Sequence, residues 1–277
     1  MGLRIYNNVE AQNAHRQLQQ TNANISKAME RLSSGLRINR AGDDAAGLAV
    51  SEVMRSQIRG MQVATRNSQD GISLVQVADG AIGSVTDMLQ RVRDLAVQAA
   101  NGTLTDTQRG NLDKEVQNIL LEINRVGSDT EFNGVKILAG SVATAASAIT
   151  LQIGANGGQN IAFTIGTISV SDLGISGLAV STQASASAAI ASLDAAVASL
   201  NTQRALMGAI QNRLEQTIAR LGVTAENLQA AESRIRDADM AAEMIYFTKN
   251  QILQQSGTAM LAQANQAPQS VLQLLNG

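Results

Sequence analysis

Few residues of this chain have the type and spacing that catalysis or metal binding needs. The single histidine, His15, lies in a polar helical stretch, and the chain has no cysteine to act beside it. Asp43 and Asp44 could bind a metal as a pair, but adjacent acids are better explained as the cap and dipole partner of a helix N-terminus. The glycines form neither a P-loop nor a G-x-G-x-x-G that opens a helix. We therefore predict no enzymatic activity and no cofactor or metal site.

The charge distribution argues against nucleic acid as a partner. The formal net charge is −2, the lysines and arginines are scattered, and only 2% of the residues are aromatic. Nucleic-acid binding needs clustered basic side chains, often with aromatic side chains for base stacking. Residues 1–17 contain no apolar segment of the secretory type, so we expect any export to proceed without a cleaved signal peptide.

The most unusual stretch is 250–277, which contains no charged residue but keeps the apolar spacing of a helix. Its opposite face carries glutamine and asparagine instead of the Lys and Glu that usually solubilise exposed helices. Uncharged amides suit packing beside identical copies, where like charges would repel, and so many amides would be costly in lipid. We therefore predict a helix for a protein-lined environment and no membrane insertion. The predicted stripe is Leu253, Met260, Leu261, Ala264, Val271, Leu272 and Leu275.

A helix near the N-terminus has the seam spacing of a coiled coil, with alternating steps of three and four residues. An ordinary amphipathic helix is the alternative interpretation. We favour the coiled coil because the stripe at the opposite end of the chain could lie beside it. Residues 33–35 should end this helix, and Asp43 and Asp44 should begin the next. The seam positions are Ala11, Ala14, Leu18, Thr21, Ile25, Ala28 and Leu32.

Two long helices and one shorter helix are predicted for the middle of the chain. The first long helix spans about 44–100, roughly 80 Å at 1.5 Å per residue. Thr105-x-x-Gln108 resembles a capping box that starts the shorter helix, and Gly127 fits its C-terminal cap. The second long helix should begin after the Ala/Ser-rich stretch 181–189 and return antiparallel to the first. Four glycines weaken the first long helix or permit close helix approach: Gly60, Gly71, Gly80 and Gly83.

The only β-like region lies at about 131–172. Asn133-Gly134 is a turn signal, and alternating runs on either side of residues 156–158 predict a hairpin. Residues 168–170 are a candidate for a further short strand. Residues 137–171 carry no charge, which either burial against a neighbouring molecule or a solvated Ser/Thr surface would explain. The fold class is therefore mainly α: long antiparallel helices forming a rod, a small β-hairpin region, and terminal helices paired as a coiled coil.

Five segments closely resemble bacterial flagellins, in the same order along the chain. They are RLSSGLRINRAGDDAAGLAVSEVMRSQIRGM at 31–61, NSQDGISLVQVADGA at 67–81, EFNGVKIL at 131–138, ESRIRDADMAAEM at 232–244 and QILQQSGTAMLAQANQAPQSVLQLL at 251–275. The resemblance implies an inner coiled-coil domain built from 1–44 and 235–277, and a rod-like helical domain over 45–234. It also implies a short form, in which the hairpin region stands where larger members carry outer domains.

The same resemblance implies a function and partners. It implies self-assembly into a hollow helical flagellar filament for motility, export of the unfolded chain by the flagellar type III apparatus, and an extracellular location. The implied partners are identical copies, an export chaperone on the C-terminal arm, the filament cap and the hook-associated proteins. The residues expected to pack in the filament core are Leu3, Leu18, Ile25, Leu32, Ile252, Leu253, Met260, Leu261, Val271, Leu272 and Leu275.

QRVRDLAVQ at 90–98 resembles the flagellin segment that a vertebrate Toll-like receptor recognises. By this resemblance Arg91 is the central contact, Gln90 and Leu95 lie beside it, and Glu115 contributes from the next helix. The family often has Glu at the position of Asp94. A solvated ion pair between Arg91 and Glu115 is the simpler alternative, and both interpretations can hold together.

Two other classes of protein share part of this pattern. A hook–filament junction protein would share both arms, but the dense matches in both arms and the QANQAPQSVLQLL ending favour the filament subunit. An intracellular coiled-coil adaptor would explain the heptads but not the uncharged tail.

We also expect both ends to be disordered in the free subunit and to order on assembly, because ordering costs about 1–2 kcal/mol per residue and a lone helix pair buries little apolar surface.

Overall fold

The computed structural model describes residues 8–144 and 147–275, with side chains described as far as Gln266. Its elements in chain order are α1 Val9–Ser34, α2 Ala45–Ala99, α3 Asp106–Asp129, β1 Glu131–Phe132, β2 Val135–Lys136, β3 Ile149–Gln152, β4 Asn160–Phe163, α4 Gln183–Arg236 and α5 Met240–Leu275. The mainly α fold class predicted from the sequence is confirmed.

Local capping explains where the helices begin and end. The Asn8 side chain accepts from the Ala11 N–H at 3.0 Å to start α1, and Gly35, at φ +71°, ends it. Asp44 accepts from the Gly47 N–H at 2.9 Å at the start of α2, as predicted. Thr105 forms the predicted capping box at the start of α3. Each helix therefore starts or ends where the sequence supplies a partner for its free backbone groups.

Three predictions about element boundaries are wrong. Gly127 is not a cap, because α3 continues to Asp129 and ends at Thr130. The Ala/Ser-rich stretch does not precede α4 but forms its first turns from Gln183, where Ala186 and Ala189 are buried in the core. Residues 168–170 are not a strand, although the Ile168 N–H donates to the Leu138 carbonyl at 2.9 Å.

The predicted turn at Asn133-Gly134 and the predicted hairpin around residues 156–158 are both present. Asn133 and Gly134, at φ +51° and +77°, connect β1 to β2 in a two-residue turn. β3 pairs with β4 antiparallel, with Ile149 opposite Phe163 and Gln152 opposite Asn160. The glycines Gly60 and Gly71 of α2 face this second hairpin, where an added Cβ would meet Ala155 and Leu151. Both glycines therefore permit close approach by the hairpin, and Gly71 also permits close approach by α4, since an added Cβ there would lie 3.3 Å from Leu214.

The chain packs into two units. Unit 1 consists of Met1–Ser56 and Asn227–Gly277, and unit 2 consists of Gln57–Glu226. These boundaries lie inside α2 and α4, and the domain division at 44 and 235 that the resemblance implies stays a prediction. Within unit 1 the N-terminal part of α2 is ion-paired with the last turns of α4. Arg55 lies 3.8 Å from Glu232, and Glu52 lies 2.6 Å from Arg236.

Unit 2 has one hydrophobic core, to which α2, α3, α4 and the segment around the hairpins all contribute. Most large apolar residues described in the uncharged stretch 137–171 are buried inside this unit. Their burial needs neither a neighbouring molecule nor a solvated Ser/Thr surface. The largest fully buried side chains of the unit are Ile82, Leu89, Ile123, Ile137, Leu138, Ile165, Ile168, Ile175, Leu193, Leu200 and Met207.

Candidate functional site

The first candidate surface is the pair formed by α1 and α5 in unit 1. On α1 the residues facing α5 follow the predicted seam, with Thr21 and Ala28 buried and Leu18, Ile25 and Leu32 half-buried. On α5 the least exposed positions repeat at steps of three and four, as a coiled-coil seam requires. They are Glu243, Phe247, Asn250, Gln254, Gly257, Leu261 and Ala264.

The α5 side of this seam is built largely from amide and small residues. Asn250 is 4% exposed, and its side chain donates to the Tyr246 carbonyl at 2.7 Å. Gln254 donates to the Asn22 side chain at 2.9 Å, and a Cβ on Gly257 would lie 3.2 Å from Leu18. The sequence predicted that the amide residues of 250–277 lie opposite the apolar stripe, away from the seam; for Asn250 and Gln254 this prediction is wrong.

The large apolar residues of α5 mostly point away from α1. Leu261 and Ala264 face the seam, whereas Ile252, Leu253 and Met260 are 58%, 45% and 64% exposed. The apolar residues predicted to form a single stripe thus lie on two faces of α5. The prediction used hydrophobicity alone and therefore assigned all the bulky residues to the seam. Leu3 lies outside the described residues, as do the side chains of Val271, Leu272 and Leu275.

A polar junction that the sequence analysis missed joins the ends of α1 and α4. The Arg37 side chain donates to the Ile235 carbonyl at 2.6 Å, and Leu36 bridges Asp237 in the antiparallel sense. Asp43 forms a 2.7 Å ion pair with Lys27 and accepts from the Asn39 and Arg40 N–H groups. The only available signal was the density of charged residues around 37–43 and 232–239.

Asp43 is the carboxyl group most perturbed by this junction. The hydrogen bond from Lys27, followed by that from the Arg40 backbone, lowers the pKa of Asp43 from 3.8 to about 2. Asp44 caps α2 as predicted, whereas Asp43 orders the preceding turn instead. Hydrogen bonding from Arg236 likewise lowers the pKa of Glu52. The charged form of each carboxylate is the one that holds the junction together.

The second candidate surface lies on α2 and α3 of unit 2. The Arg91 guanidinium donates to Glu115 at 2.8 and 3.2 Å, and the two side chains are 59% and 44% exposed. Gln90 is exposed beside them. Leu95 is only 2% exposed and belongs to the core. The structure therefore brings Gln90, Arg91 and Glu115 to one surface but does not place Leu95 there.

The remaining candidates for chemistry are the single histidine and any grouped acidic side chains. His15 is exposed on α1. Within the part of the chain that the structure describes, no three His, Asp or Glu side chains group as metal ligands would. None of the described helices combines the length and apolarity that a membrane crossing needs.

Models of one protein family match both the N-terminal and the C-terminal part of this chain. The family model for the bacterial flagellin N-terminal helical region matches residues 5–143, and that for the C-terminal helical region matches 190–275. The flagellar filament 33 kDa core protein of Treponema phagedenis is 52% identical over 98% of this chain and 99% of its own length. The flagellin of Bacillus subtilis is 48% identical over 99% of this chain and 100% of its own length.

A crystal structure of Bacillus cereus flagellin is 34% identical, covers 60% of this chain and 94% of the solved one, and gives a TM-score of 0.49. The two family regions cover most of the chain, and the segment between them, 144–189, holds among its described residues only the β3–β4 hairpin, the connection that follows it and the first turns of α4. The curated relatives match from end to end. The chain therefore belongs to the bacterial flagellins, as a non-enzymatic structural subunit of the flagellar filament without outer domains.

Proposed function

We propose that the exposed apolar face of α5 is the main assembly surface of this subunit in a hollow helical filament. Ile245, Ile252, Leu253 and Met260 leave large apolar surface uncovered on a helix whose other side already packs on α1. Contiguous exposed apolar surface marks an interaction site. Identical copies suit this face because its surroundings from residue 250 onward carry no charge. This uncovered face is the observation that carries the proposal.

The same face explains why other flagellar proteins would be needed before and during assembly. An apolar helix face exposed in the cell favours aggregation, so we expect an export chaperone to cover the C-terminal arm. We further propose that the chain travels unfolded through the flagellar type III apparatus, assembles outside the cell beneath the filament cap and joins the hook-associated proteins at the filament base. The composition of the α1–α5 seam supports this route, because amide and small residues line much of it and little apolar contact has to be broken before export.

Charged substitutions on α5 test the assembly surface. Ile252→Asp places a charge on the exposed face and Leu261→Asp places one in the seam; both should stop polymerisation. The matched control is Val135→Asp, because Val135 is 49% exposed in β2 of unit 2. Purified chains are mixed with sheared filament fragments as seeds and followed by sedimentation and negative-stain microscopy. Circular dichroism checks that unit 2 stays helical.

The expected result is that the two α5 variants stay soluble while the Val135 variant forms filaments like the parent chain. Normal filaments from Ile252→Asp would show that the exposed face is not an assembly surface. Normal filaments from Leu261→Asp would show that the α1–α5 seam does not matter for assembly.

We also propose that the α2–α3 surface binds the flagellin-sensing Toll-like receptor. The ion pair with Glu115 holds the Arg91 side chain in one orientation while leaving it more than half exposed. A pre-oriented arginine is a common binding hot spot, costing 2 kcal/mol or more when truncated. Leu95 is excluded as a contact because it is buried, and we assign it the role of supporting the α2 backbone beneath Arg91.

Receptor binding by the monomeric chain tests this assignment. Arg91→Ala should weaken binding by roughly 30-fold or more, from the hot-spot cost above. Arg125→Ala is the matched control, because Arg125 is 61% exposed and ion-paired with Glu122 on α3. Equal binding by the Arg91 variant and the parent chain would remove the assignment. Equal losses in both variants would show a nonspecific charge effect.

A further inference from the structure

A groove on unit 2 carries two arginines that the described chain does not neutralise. Residues Asn212, Arg213, Gln216 and Arg220 of α4 form one wall, Ile153 and Ile161 contribute apolar surface, and the volume is about 530 Å³. Arg213 and Arg220 are exposed. Among the described residues, no carboxylate oxygen lies within the 4.0 Å of either guanidinium that defines an ion pair. The groove therefore offers two positive charges above an apolar floor.

An exposed ridge on α2 carries two acids outside any ion pair among the described residues, and Glu115 neutralises Arg91 between them at 2.8 Å. Asp87 and Asp94 are both exposed, and each lies near an arginine that another carboxylate already neutralises. Arg204 pairs with Asp79 at 2.9 Å, and Arg93 pairs with Asp194 at 2.7 Å. Along this edge of unit 2, Asp87 and Asp94 are therefore left without an ion-pair partner among the described residues.

The two surfaces have the same spacing. The ridge reads Asp87-x-x-Gln90-x-x-x-Asp94, and the groove reads Arg213-x-x-Gln216-x-x-x-Arg220. Seven residues of helix rise about 10.5 Å, so both charges on one surface can meet both charges on the other, in either chain direction. Among the described acids, Asp87 and Asp94 are the only two that are seven residues apart on a helix and both outside an ion pair.

One chain cannot bring these two surfaces together. Leu214, next to Arg213, lies against Gly71 of α2. Asp87 is sixteen residues farther along α2, which corresponds to roughly 24 Å. Val97, which is 48% exposed, follows Asp94 by three residues and supplies an apolar side chain for the groove floor. The ridge therefore fits the groove of another molecule in both charge and apolar surface.

We propose that the Arg213–Arg220 groove of one copy receives the Asp87–Asp94 ridge of a second copy. Each chain carries one groove and one ridge, so the contact is heterologous and can repeat without closing. This inference rests on the proposed self-assembly and gives unit 2 its own part in it, separate from the apolar face of α5. The complementary charges select the register in which neighbouring copies meet.

Charge reversal and its compensation test the pairing with the full chain. The variants are R213E/R220E, D87R/D94R and the quadruple variant that combines all four changes. Either double variant places like charges opposite each other, whereas the quadruple variant restores opposite charges. The control is R59E/R66E, because Arg59 and Arg66 are also exposed, seven residues apart and outside any ion pair among the described residues. The readout is the critical concentration for polymerisation at one fixed ionic strength, with folding checked by circular dichroism.

Each double reversal should raise the critical concentration at least about tenfold, which corresponds to roughly 1.4 kcal/mol. The quadruple variant should return to within about threefold of the parent chain, and the Arg59/Arg66 control should stay there. Parent-like polymerisation of either double variant would overturn the pairing, as would a quadruple variant no better than the doubles. Failure of the parent chain to polymerise would instead contradict the proposed self-assembly.

Discussion

Replacing Gly127 with alanine tests the closest backbone contact in unit 2. Gly127 lies inside α3 and is buried, and a Cβ added there would point directly at the carbonyl oxygen of Ile168, inside contact distance. The segment that carries this carbonyl is held on both sides. The Ile168 N–H donates to the Leu138 carbonyl at 2.9 Å, and the Asn124 side chain accepts from the Val170 N–H at 2.8 Å.

Two effects of the substitution oppose each other. Alanine is favoured over glycine in a helix by roughly 1 kcal/mol. Inserting a methyl group into a well-packed site costs typically 1–3 kcal/mol, and moving the Ile168 segment away would also weaken hydrogen bonds worth about 1 kcal/mol each. Because the obstacle is backbone rather than a flexible side chain, we expect the cost to prevail. The variant should lose about 1–3 kcal/mol of unfolding free energy.

Gly110→Ala is the matched control in the same helix, because a Cβ at Gly110 meets nothing within 4 Å. That variant should gain up to about 1 kcal/mol from helix propensity. Urea unfolding followed by circular dichroism measures the unfolding free energy of both variants, and thermal unfolding measures their Tm. The Tm should fall by roughly 2–8 °C for Gly127→Ala and stay level or rise for Gly110→Ala. Two variants with the same gain in stability would refute the close contact.

Three further predictions concern other parts of the chain. The folded-state pKa of Asp43 is about 2, below its usual 3.8. The stabilising effect of its carboxylate is therefore present above pH 4 and is lost as the pH falls through 2. Asp43→Asn should lower the urea midpoint at pH 7 and should have the same midpoint as the parent chain below pH 2. Arg109 is buried, and its guanidinium donates hydrogen bonds to Ala99, Asn101 and Asp106. Arg109→Lys should therefore cost about 1–3 kcal/mol of unfolding free energy. Parent-like stability of this variant would show that these hydrogen bonds are dispensable. Amides in α1 and α5 should exchange rapidly in the free subunit and slowly in the polymer, and strong protection in the free subunit would contradict coupled ordering.

Much of the fold could be predicted from the sequence because its signals are local. Helix starts follow from side chains that cap backbone groups within three residues, as at Asp44 and Thr105. The hairpin at Asn133-Gly134 follows from the positive φ angles its turn requires. In unit 2 the apolar stripe of α2 is also the buried stripe, because this helix packs on several elements with large apolar side chains.

The sequence could not show which face of α5 meets α1. That choice depends on the close approach of two helices, which small residues permit. Gly257 lies against Leu18, and the buried Asn250 satisfies its side chain on its own helix. A hydrophobic pattern cannot reveal a seam from which most of the large aliphatic residues of the helix point away. Leu95 presents the opposite case. The resemblance placed it beside Arg91, and residues four apart share one side of a helix, but the offset of about 40° between them is enough to leave Leu95 buried in the core while Arg91 stays exposed.

The two units differ in where they keep their large apolar side chains, and this difference determines what each can do alone. Unit 2 buries isoleucines and leucines from every one of its helices in one core, so it has the means to fold as a single chain. Unit 1 buries small and polar side chains such as Thr21, Ala28 and Asn250 in its seam and leaves Ile245 and Ile252 exposed. Hydrophobic stabilisation scales with the apolar area removed from water, so we expect unit 1 to gain most of its stability only when other copies cover that face, as proposed above. Assembly and the ordering of the two chain ends are therefore expected to be one process.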